Sequence, residues 1–446
     1  MAKIEPFRAT RFSTELVGNL SDVVALPYDK ITPAMQDAYY AKSEFNICRI
    51  SKGIPQTGDS EGNDVYSRAA ETWKRWLESG VLREDDRPAL YVYHQIFQVG
   101  GTEFTRRGLC CMVELQDYGT GGVKPHERTL DAPKQDRFKL LMALDAHLGQ
   151  IFQLYPDPDN EVASLLAEAC ISEPEMEATI EEDGQVVHRV WAITHPDTIS
   201  TIQNLLLGKQ LFIADGHHRY ETALNYRNAR MAEYIGGPDG HNPRFAMMTL
   251  VGMSDPGLVV LPTHRVLFNL AHFNPGDFIS QIRQYFAIAE MRSLDELAAE
   301  MKSRSDKLGR NAFGFYMGGR FYLCELSDHD IMRRLAPERS EAWRSLDVAV
   351  LHEVVLEHLL GISKEAQAAK TNISYDRSAI SALAKVNSGT HQLAVLMNPT
   401  KLSQIREVAG NGEVMPQKST DFYPKLITGL LACKVNLGAK RQAAAS

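Results

Sequence analysis

An apolar run, Leu211 to Ala214, ends in Asp215 and Gly216, and a helical pattern opens at once in "HHRYETAL". A buried-type strand that enters a helix through a single glycine is a strand–helix unit, and it places the chain among the mixed α/β folds. The same stretch constrains the chemistry. The first N–H groups of a helix have no partner within it, and the macrodipole puts partial positive charge there. Gly216 lets a ligand approach the backbone. Arg219 adds a planar fork of donors suited to phosphate oxygens, and His217 and His218 add donors or a proton shuttle. Gly216, His217, His218 and Arg219 therefore read as a phosphate-binding turn. Asp215 either caps the helix or holds a metal ion or a substrate hydroxyl. The plain alternative is two helix-start histidines and an arginine paired with a nearby acid. Adjacent histidines diverge by about 100° on a helix, so one metal ion held by both is not expected.

Around this unit the chain alternates strands and helices. "PALYVYHQIFQV" and "RRGLCCMVEL" predict a hairpin about Gly100 and Gly101, and "GQIFQLY", "HRVWAIT", "RFAMMTLVGM" and "GLVVLPTHRVL" predict further strands. Residues 64–80 predict an amphipathic helix started by Asp64 and ended by Gly80, and "ISTIQNLLLGKQ" a second helix. "GGPDGHNP" reads as a loop. After about residue 270 the texture changes. Helices at 275–287 and 293–308 precede a hairpin, "NAFGFYM" and "RFYLCEL" about Gly318–Gly319, where the favoured turn needs positive φ. A long helix over 341–361, helices at 377–386 and 402–409, and the strand "HQLAVLMN" complete the pattern. The expectation is a phosphate- or nucleotide-binding α/β domain over 1–270 and a C-terminal α+β domain over 271–446, ending in a frayed tail, "GAKRQAAAS".

Charge and composition narrow the function. The net charge of −8 argues against a nucleic-acid binder, although it leaves room for a small anion in a locally basic pocket. The start "MAKIEPFRATRF" lacks a signal peptide's apolar run, and no stretch reaches the ~18 apolar residues of a membrane span, so a cytoplasmic location is expected. The six cysteines form no C-x-x-C pair and read as reduced thiols without a catalytic role. The partner expected is a small-molecule metabolite; a homo-oligomer is left open.

Other segments carry candidate chemistry. "HERTLDAPKQDR" packs His126, Glu127, Arg128, Lys134, Asp136 and Arg137 into one stretch. Phosphoryl transfer needs cations around the moving group and a carboxylate to accept a hydroxyl proton or hold magnesium. His126 and Glu127 offer the base, and Arg128, Lys134 and Arg137 the cations; the alternative is a solvated charged loop leading into a helix. "ALPYDKIT" offers Tyr28 and Asp29 at a strand end, for metal or hydroxyl contact or merely an Asp turn. His264 and Arg265 in "PTHRV" are either a second anion contact or a polar strand end. Lys418, Ser419 and Thr420 resemble the end of a Walker A loop, but Gln417 stands where glycine must precede the lysine. A lysine-plus-hydroxyl loop reaching the active site remains. "HEVVLEH" is not a zincin motif, since six residues at 100° leave His352 and His358 about 120° apart.

The box "GHHRY" resembles the G-x-H/R-R-Y/W box of the ParB/sulfiredoxin superfamily, in which a strand-to-helix turn binds nucleotide phosphates. The chain as a whole resembles the bacterial DUF1015 family, within or near that superfamily, which also includes free serine kinases. The shared stretches are "VVALPYDKIT", "HERTLDAPKQDR", "ADGHHRYETAL", "LPTHRV" and "MPQKSTDFYPKLITGLL". The resemblance implies a ParB/sulfiredoxin-like nucleotide-binding core with ATP or ADP as cofactor. It departs in two places. Sulfiredoxins carry a cysteine in the box where this chain has His217, and ParB proteins add a helix-turn-helix that has no basic counterpart here. What is left is nucleotide-phosphate binding with Mg2+, and phosphoryl transfer to a small hydroxylated metabolite such as a serine-type acceptor. A nucleotide-binding switch and a phosphatase-like hydrolase are the alternatives.

Overall fold

The computed structural model describes residues 2–129, 131–234 and 241–437. The tail "GAKRQAAAS" and most of the loop "GGPDGHNP" lie outside them. The described chain is mixed α/β in two compact units. The first takes residues up to 125, then 129–259, and the chain again from Pro424; the second takes 126–128 and 260–423. This differs from a single cut near 270. Leu426, Ile427, Leu430 and Leu431 are buried, which explains why the end of the chain is drawn into the first unit.

The first unit is built on a nine-stranded mixed sheet. Its strands in chain order are β1 (Ile4–Glu5), β2 (Leu90–Val99), β3 (Thr102–Glu114), β4 (Val123–Lys124), β5 (Ile151–Tyr155), β6 (Met176–Ile180), β7 (Val186–Ile193), β8 (Leu211–Asp215) and β9 (Phe245–Gly252). They lie in the order β4-β8-β5-β9-β3-β2-β7-β6, with β1 paired to β3. β8 runs parallel to β4 and antiparallel to β5, and β9 runs parallel to β5. The β2–β3 hairpin turns at Gly100 (φ 58°) and Gly101 (φ 79°), both in the region an L side chain avoids. Helix α1 (Val65–Glu78) starts with a capping box between Asp64 and Ser67. It buries Ala69, Trp73 and Trp76 at i, i+4 and i+7. By area each tryptophan contributes roughly 4–6 kcal/mol before ordering costs. Helices α2 (Asp131–Leu144) and α3 (His217–Arg230) pack together beside the sheet. Lys134, Asp136 and Arg137 therefore ride on a helix.

The second unit holds a six-stranded antiparallel sheet: β10 (His264–Leu267), β11 (Phe286–Met291), β12 (Ala312–Met317), β13 (Arg320–Leu326), β14 (Ile373–Asp376) and β15 (Leu393–Leu396), ordered β11-β13-β12-β15-β10-β14. Helix α4 (Leu294–Leu308) covers it, seating Leu297 and Met301 in the core. Three expectations change here. The helix expected over 275–287 stops at Ile282, and β11 takes its place as an edge strand with only Phe286 fully buried. "GLVVLPTHRVL" is two short strands, interrupted at Pro262, which has no N–H for a ladder. The long helix over 341–361 is three pieces, Glu341–Arg344, Asp347–Val350 and a π-helix, Leu351–Leu359. Ser345 Oγ bonds back to Ala342 O, and Asn311 Nδ2 donates to Ser345 O and Asp347 Oδ1, which turns the backbone out of a continuous helix.

Candidate functional site

The turn between β8 and α3 is the best-furnished site in the first unit. Gly216 has φ +91°, and a Cβ there would lie 3.0 Å from Arg219 Nε and Nη2. Two constraints thus demand glycine: the left-handed backbone and the Arg219 guanidinium folded over it. The first helical bond runs from Tyr220 N–H to Gly216 O at 2.9 Å, so the N–H groups of His217 to Arg219 precede the helix ladder. Arg219 Nη1 donates to Gln150 O, and Nη2 lies 4.0 Å from Asp215 Oδ1. Gly216 N–H donates to the same carboxylate at 2.7 Å, and Lys425 Nζ lies 3.1 Å from Asp215 Oδ2. Desolvation would raise the Asp215 carboxyl, but Lys425, then Arg219, and Lys30 outweigh it and hold it well below the usual carboxylate range. Three cations therefore act on one acid at a helix N-terminus.

His217 and Tyr220 turn into the protein and are buried. Tyr220 Oη bridges Gln116, accepting from its N–H at 3.1 Å and donating to its O at 2.8 Å, which ties α3 to the end of β3. His218 is half-buried. Desolvation lowers its imidazole pKa, against the carboxylates of Glu221 and Asp29, with Lys134 and Arg219 adding to the lowering. A neutral imidazole can accept a proton. Lys134 lies between Asp131 (3.0 Å) and Glu221 (3.1 Å), and Thr129 Oγ1 donates to Glu221 at 2.6 Å. Arg137 stacks on Tyr28 at 4.1 Å and donates to Ser51 O at 2.7 Å. Arg137, Tyr28, Arg219 and Thr222 border a small cavity of about 70 Å³ with Leu140 and Leu144. That is well below the ~300 Å³ of a small-molecule site, so only a group of a few heavy atoms fits it.

The stretch "HERTLDAPKQDR" is divided: His126, Glu127 and Arg128 belong to the second unit, and Thr129 onward to the first. His126 is fully buried, with Nε2 2.8 Å from Thr420 Oγ1. Glu127 is half-buried, and its charge opposes the lowering of Arg265 by burial and adds to the raising of Tyr375 by burial. His264 and Arg265 are both buried within their unit. His264 Nδ1 accepts from Met397 N–H at 3.1 Å, and Arg265 donates to Thr263 O and, at 2.9 Å, to Lys418 O. Burial lowers His264 to about 4 and Arg265 to about 10. These contacts hold the 416–420 loop. Ser419 Oγ bonds to Pro416 O, and Lys418 is exposed at φ +58°. Of the residues singled out in the sequence, Arg137 and Tyr28 share the small cavity with Arg219, and Asp29 and Lys134 act on His218 in the turn. Lys30 and Lys425, which share it, were not singled out. Each sits in a segment read for a neighbour, Asp29 and Lys418, and no local pattern distinguishes either lysine.

Asp215 does not suit a divalent metal. Its oxygens already face Lys425, Arg219 and Gly216 N–H, and the cations around it would repel a further positive ion. Among the described residues no group of three or more His, Cys, Asp or Glu side chains is placed to hold a metal ion.

Fold and site together describe a mixed α/β protein of two units with a cation-rich strand–turn–helix in the first. The chain belongs to the family described as "Protein of unknown function (DUF1015)", whose model matches residues 4–349. No curated protein matches it. Similar solved structures include a conserved hypothetical protein from Pyrococcus furiosus, at 13% identity and TM-score 0.33 over 71% of this chain and 92% of that one. Free serine kinase in complex with AMP is similar at 10% identity and TM-score 0.36, over 71% and 89% of the two chains. SbnI with C-terminal truncation from Staphylococcus aureus is similar at 10% identity and TM-score 0.35, over 75% and 90%. Among the described residues no helix is long and apolar enough to cross a membrane.

Proposed function

We propose that the Gly216–Arg219 turn binds the phosphates of ATP or ADP and that the protein transfers a phosphoryl group to the hydroxyl of a small metabolite. One observation carries this reading. Lys425, Arg219 and Lys30 act on the carboxylate of Asp215 at the N-terminus of α3, and with Asp29 counted these three cations still exceed the two acids, a positive surplus beside helix N–H groups. A polyphosphate is the ligand that such a surplus suits, and fixed cations stabilise charge on the transferring group. The acceptor oxygen attacks phosphorus, the bond to the leaving nucleotide oxygen breaks, and the hydroxyl proton passes to His218, with Asp29 steadying the imidazolium. No step is assigned to a metal ion.

The test is calorimetry with ATP and ADP, followed by incubation of radiolabelled nucleotide with a pool of hydroxylated metabolites. Arg219→Ala lowers nucleotide affinity about ten- to a hundredfold, as expected for a lost charge-assisted contact. His218→Gln retains binding and lowers transfer by about 10²–10⁴-fold, the range for lost general-base catalysis. Unchanged affinity in folded Arg219→Ala removes the phosphate site. Loss of transfer in Glu127→Gln, with His218→Gln unaffected, moves the base to the second unit. Labelled inorganic phosphate without a labelled metabolite replaces the kinase with a hydrolase.

A further inference from the structure

The second unit contains a cavity of about 390 Å³, within the range of small-molecule sites. Of its lining residues only Arg128 was singled out above as a binding candidate. Part of its wall is the π-helix Leu351–Leu359, whose wide turn closes with Leu360 N–H on Val355 O at 3.0 Å. Such segments are rare and recur at functional sites, because the wider turn is energetically poorer and re-aims side chains. Here it presents His352, Glu353 and Glu357 to the cavity.

The charges around this space do not balance locally. Lys364 Nζ lies 3.0 Å from Glu353 Oε1 and 3.7 Å from Glu357 Oε1, so one ammonium serves two carboxylates. Glu357 Oε1 is buried and accepts no hydrogen bond among the described residues. Desolvation first and then the neighbouring Glu353 raise the Glu357 carboxyl, against the ammonium of Lys364, which lowers it but is shared with Glu353. On the same lining Arg128 is exposed and has no carboxylate within ion-pair distance among the described residues. Arg339, by contrast, is occupied, 3.5 Å from Glu338 and 3.9 Å from Glu413, with its guanidinium over Trp343. The Tyr375 hydroxyl is buried with no hydrogen-bond partner among the described residues, a state that native proteins rarely leave unanswered.

We propose that this cavity binds a small zwitterion, a molecule carrying an ammonium and a carboxylate, with the ammonium on Glu357 and Glu353 and the carboxylate on Arg128 and the Tyr375 hydroxyl. A simple anion would meet two glutamates served by one lysine. A simple amine would leave Arg128 and Tyr375 unanswered. Only a ligand with both charges satisfies the surplus acid and the unpaired base together, and Trp343 and Met415 supply apolar wall for its remainder. The site is independent of the nucleotide reading, and its test uses no nucleotide.

The experiment is isothermal calorimetry and thermal shift on the full chain against the free α-amino acids. Each binder is compared with its decarboxylated amine and its deaminated acid, and Mg2+ and Ca2+ are included alone. The expected result is saturable binding of at least one amino acid, with both single-charge analogues at least about tenfold weaker, the lower bound for losing one charge-assisted contact. Arg128→Ala, whose side chain is exposed and unpaired, leaves the melting temperature unchanged and weakens the same ligand by about ten- to a hundredfold. Glu357→Gln does the same while lowering the preference over the deaminated acid. No amino-acid binding, binding untouched by folded Arg128→Ala and Glu357→Gln, or a divalent ion that binds in place of the zwitterion would each overturn the proposal.

Discussion

At the residue scale the turn depends on a glycine that nothing else can replace. Alanine at Gly216 must adopt φ near +91° and push against a guanidinium 3.0 Å away. The left-handed backbone alone costs about 1–2 kcal/mol. Gly216→Ala is therefore expected to lose about that much stability in urea unfolding and, by displacing Arg219, to weaken the proposed nucleotide binding at least as much as Arg219→Ala. A variant that binds normally would show that the guanidinium's position does not matter. Buried histidines set a second expectation. Desolvation lowers His147 to about 4 and His188 to about 3. Both lie in the first unit, and both titrate near 6.5 once unfolded. The unfolded chain then binds more protons between these values, so stability is fully present above pH ~6.5 and is lost as pH falls toward the folded values. At pH 5 the loss is about 2 kcal/mol per histidine. Urea unfolding at pH 7 and pH 5 checks this; equal stabilities would mean that the imidazoles are hydrated in the fold. That Asp215, Gly216 and Arg219 share one turn was legible in the sequence because they are contiguous. Lys425 was not, because its partner is some two hundred positions away and only the folded chain joins them.

At the element scale, local signals were read best where one residue type has one physical meaning. Paired glycines at 100–101 and 318–319 marked both hairpins, and Asp64 marked the start of α1. The failures have the same root in reverse. Phe286–Met291 alternates too weakly to declare a strand, since an edge position buries only Phe286. The 341–361 segment keeps a helical pattern throughout, and its division follows from Asn311, which the pattern cannot contain. One glycine here acts through packing. Gly314 on β12 lies under α4, and a Cβ there would fall 2.7 Å from Leu297 Cδ2 and 2.8 Å from Met301 Sδ. Gly314→Ala is expected to destabilise the second unit by about 1–3 kcal/mol, the usual cost of overpacking a core. Pairing it with Leu297→Ala should recover part of the loss in a double-mutant cycle, whereas strict additivity would mean that the two do not touch.

At the scale of the whole molecule no local pattern signals that the chain leaves its first unit at 259 and returns at 424. Changes of texture reveal where one kind of structure stops, but not which earlier unit a later segment rejoins. The returning segment pairs Thr428 with Ala25, Ala432 with Thr10 and Cys433 with His147. It buries Leu426, Ile427, Leu430, Leu431 and Val435 and carries Lys425 to Asp215. At about 1.5–3 kcal/mol for each fully buried aliphatic side chain, these five contribute roughly 7–15 kcal/mol of transfer free energy. That matches the ~5–15 kcal/mol by which a whole domain is stable. A chain ending at Tyr423 is therefore expected to lose cooperative unfolding of its first unit and, with it, the proposed nucleotide binding, although every residue of the turn itself is present. A chain of residues 1–270 should fail likewise. Adding a synthetic peptide of residues 424–437 to the truncated chain should restore some helical and tertiary signal by circular dichroism, and Lys425→Met in that peptide should restore the fold but not the full nucleotide affinity. A truncated protein with native melting behaviour and native nucleotide binding would show that the returning segment is an attachment rather than part of the first unit's core.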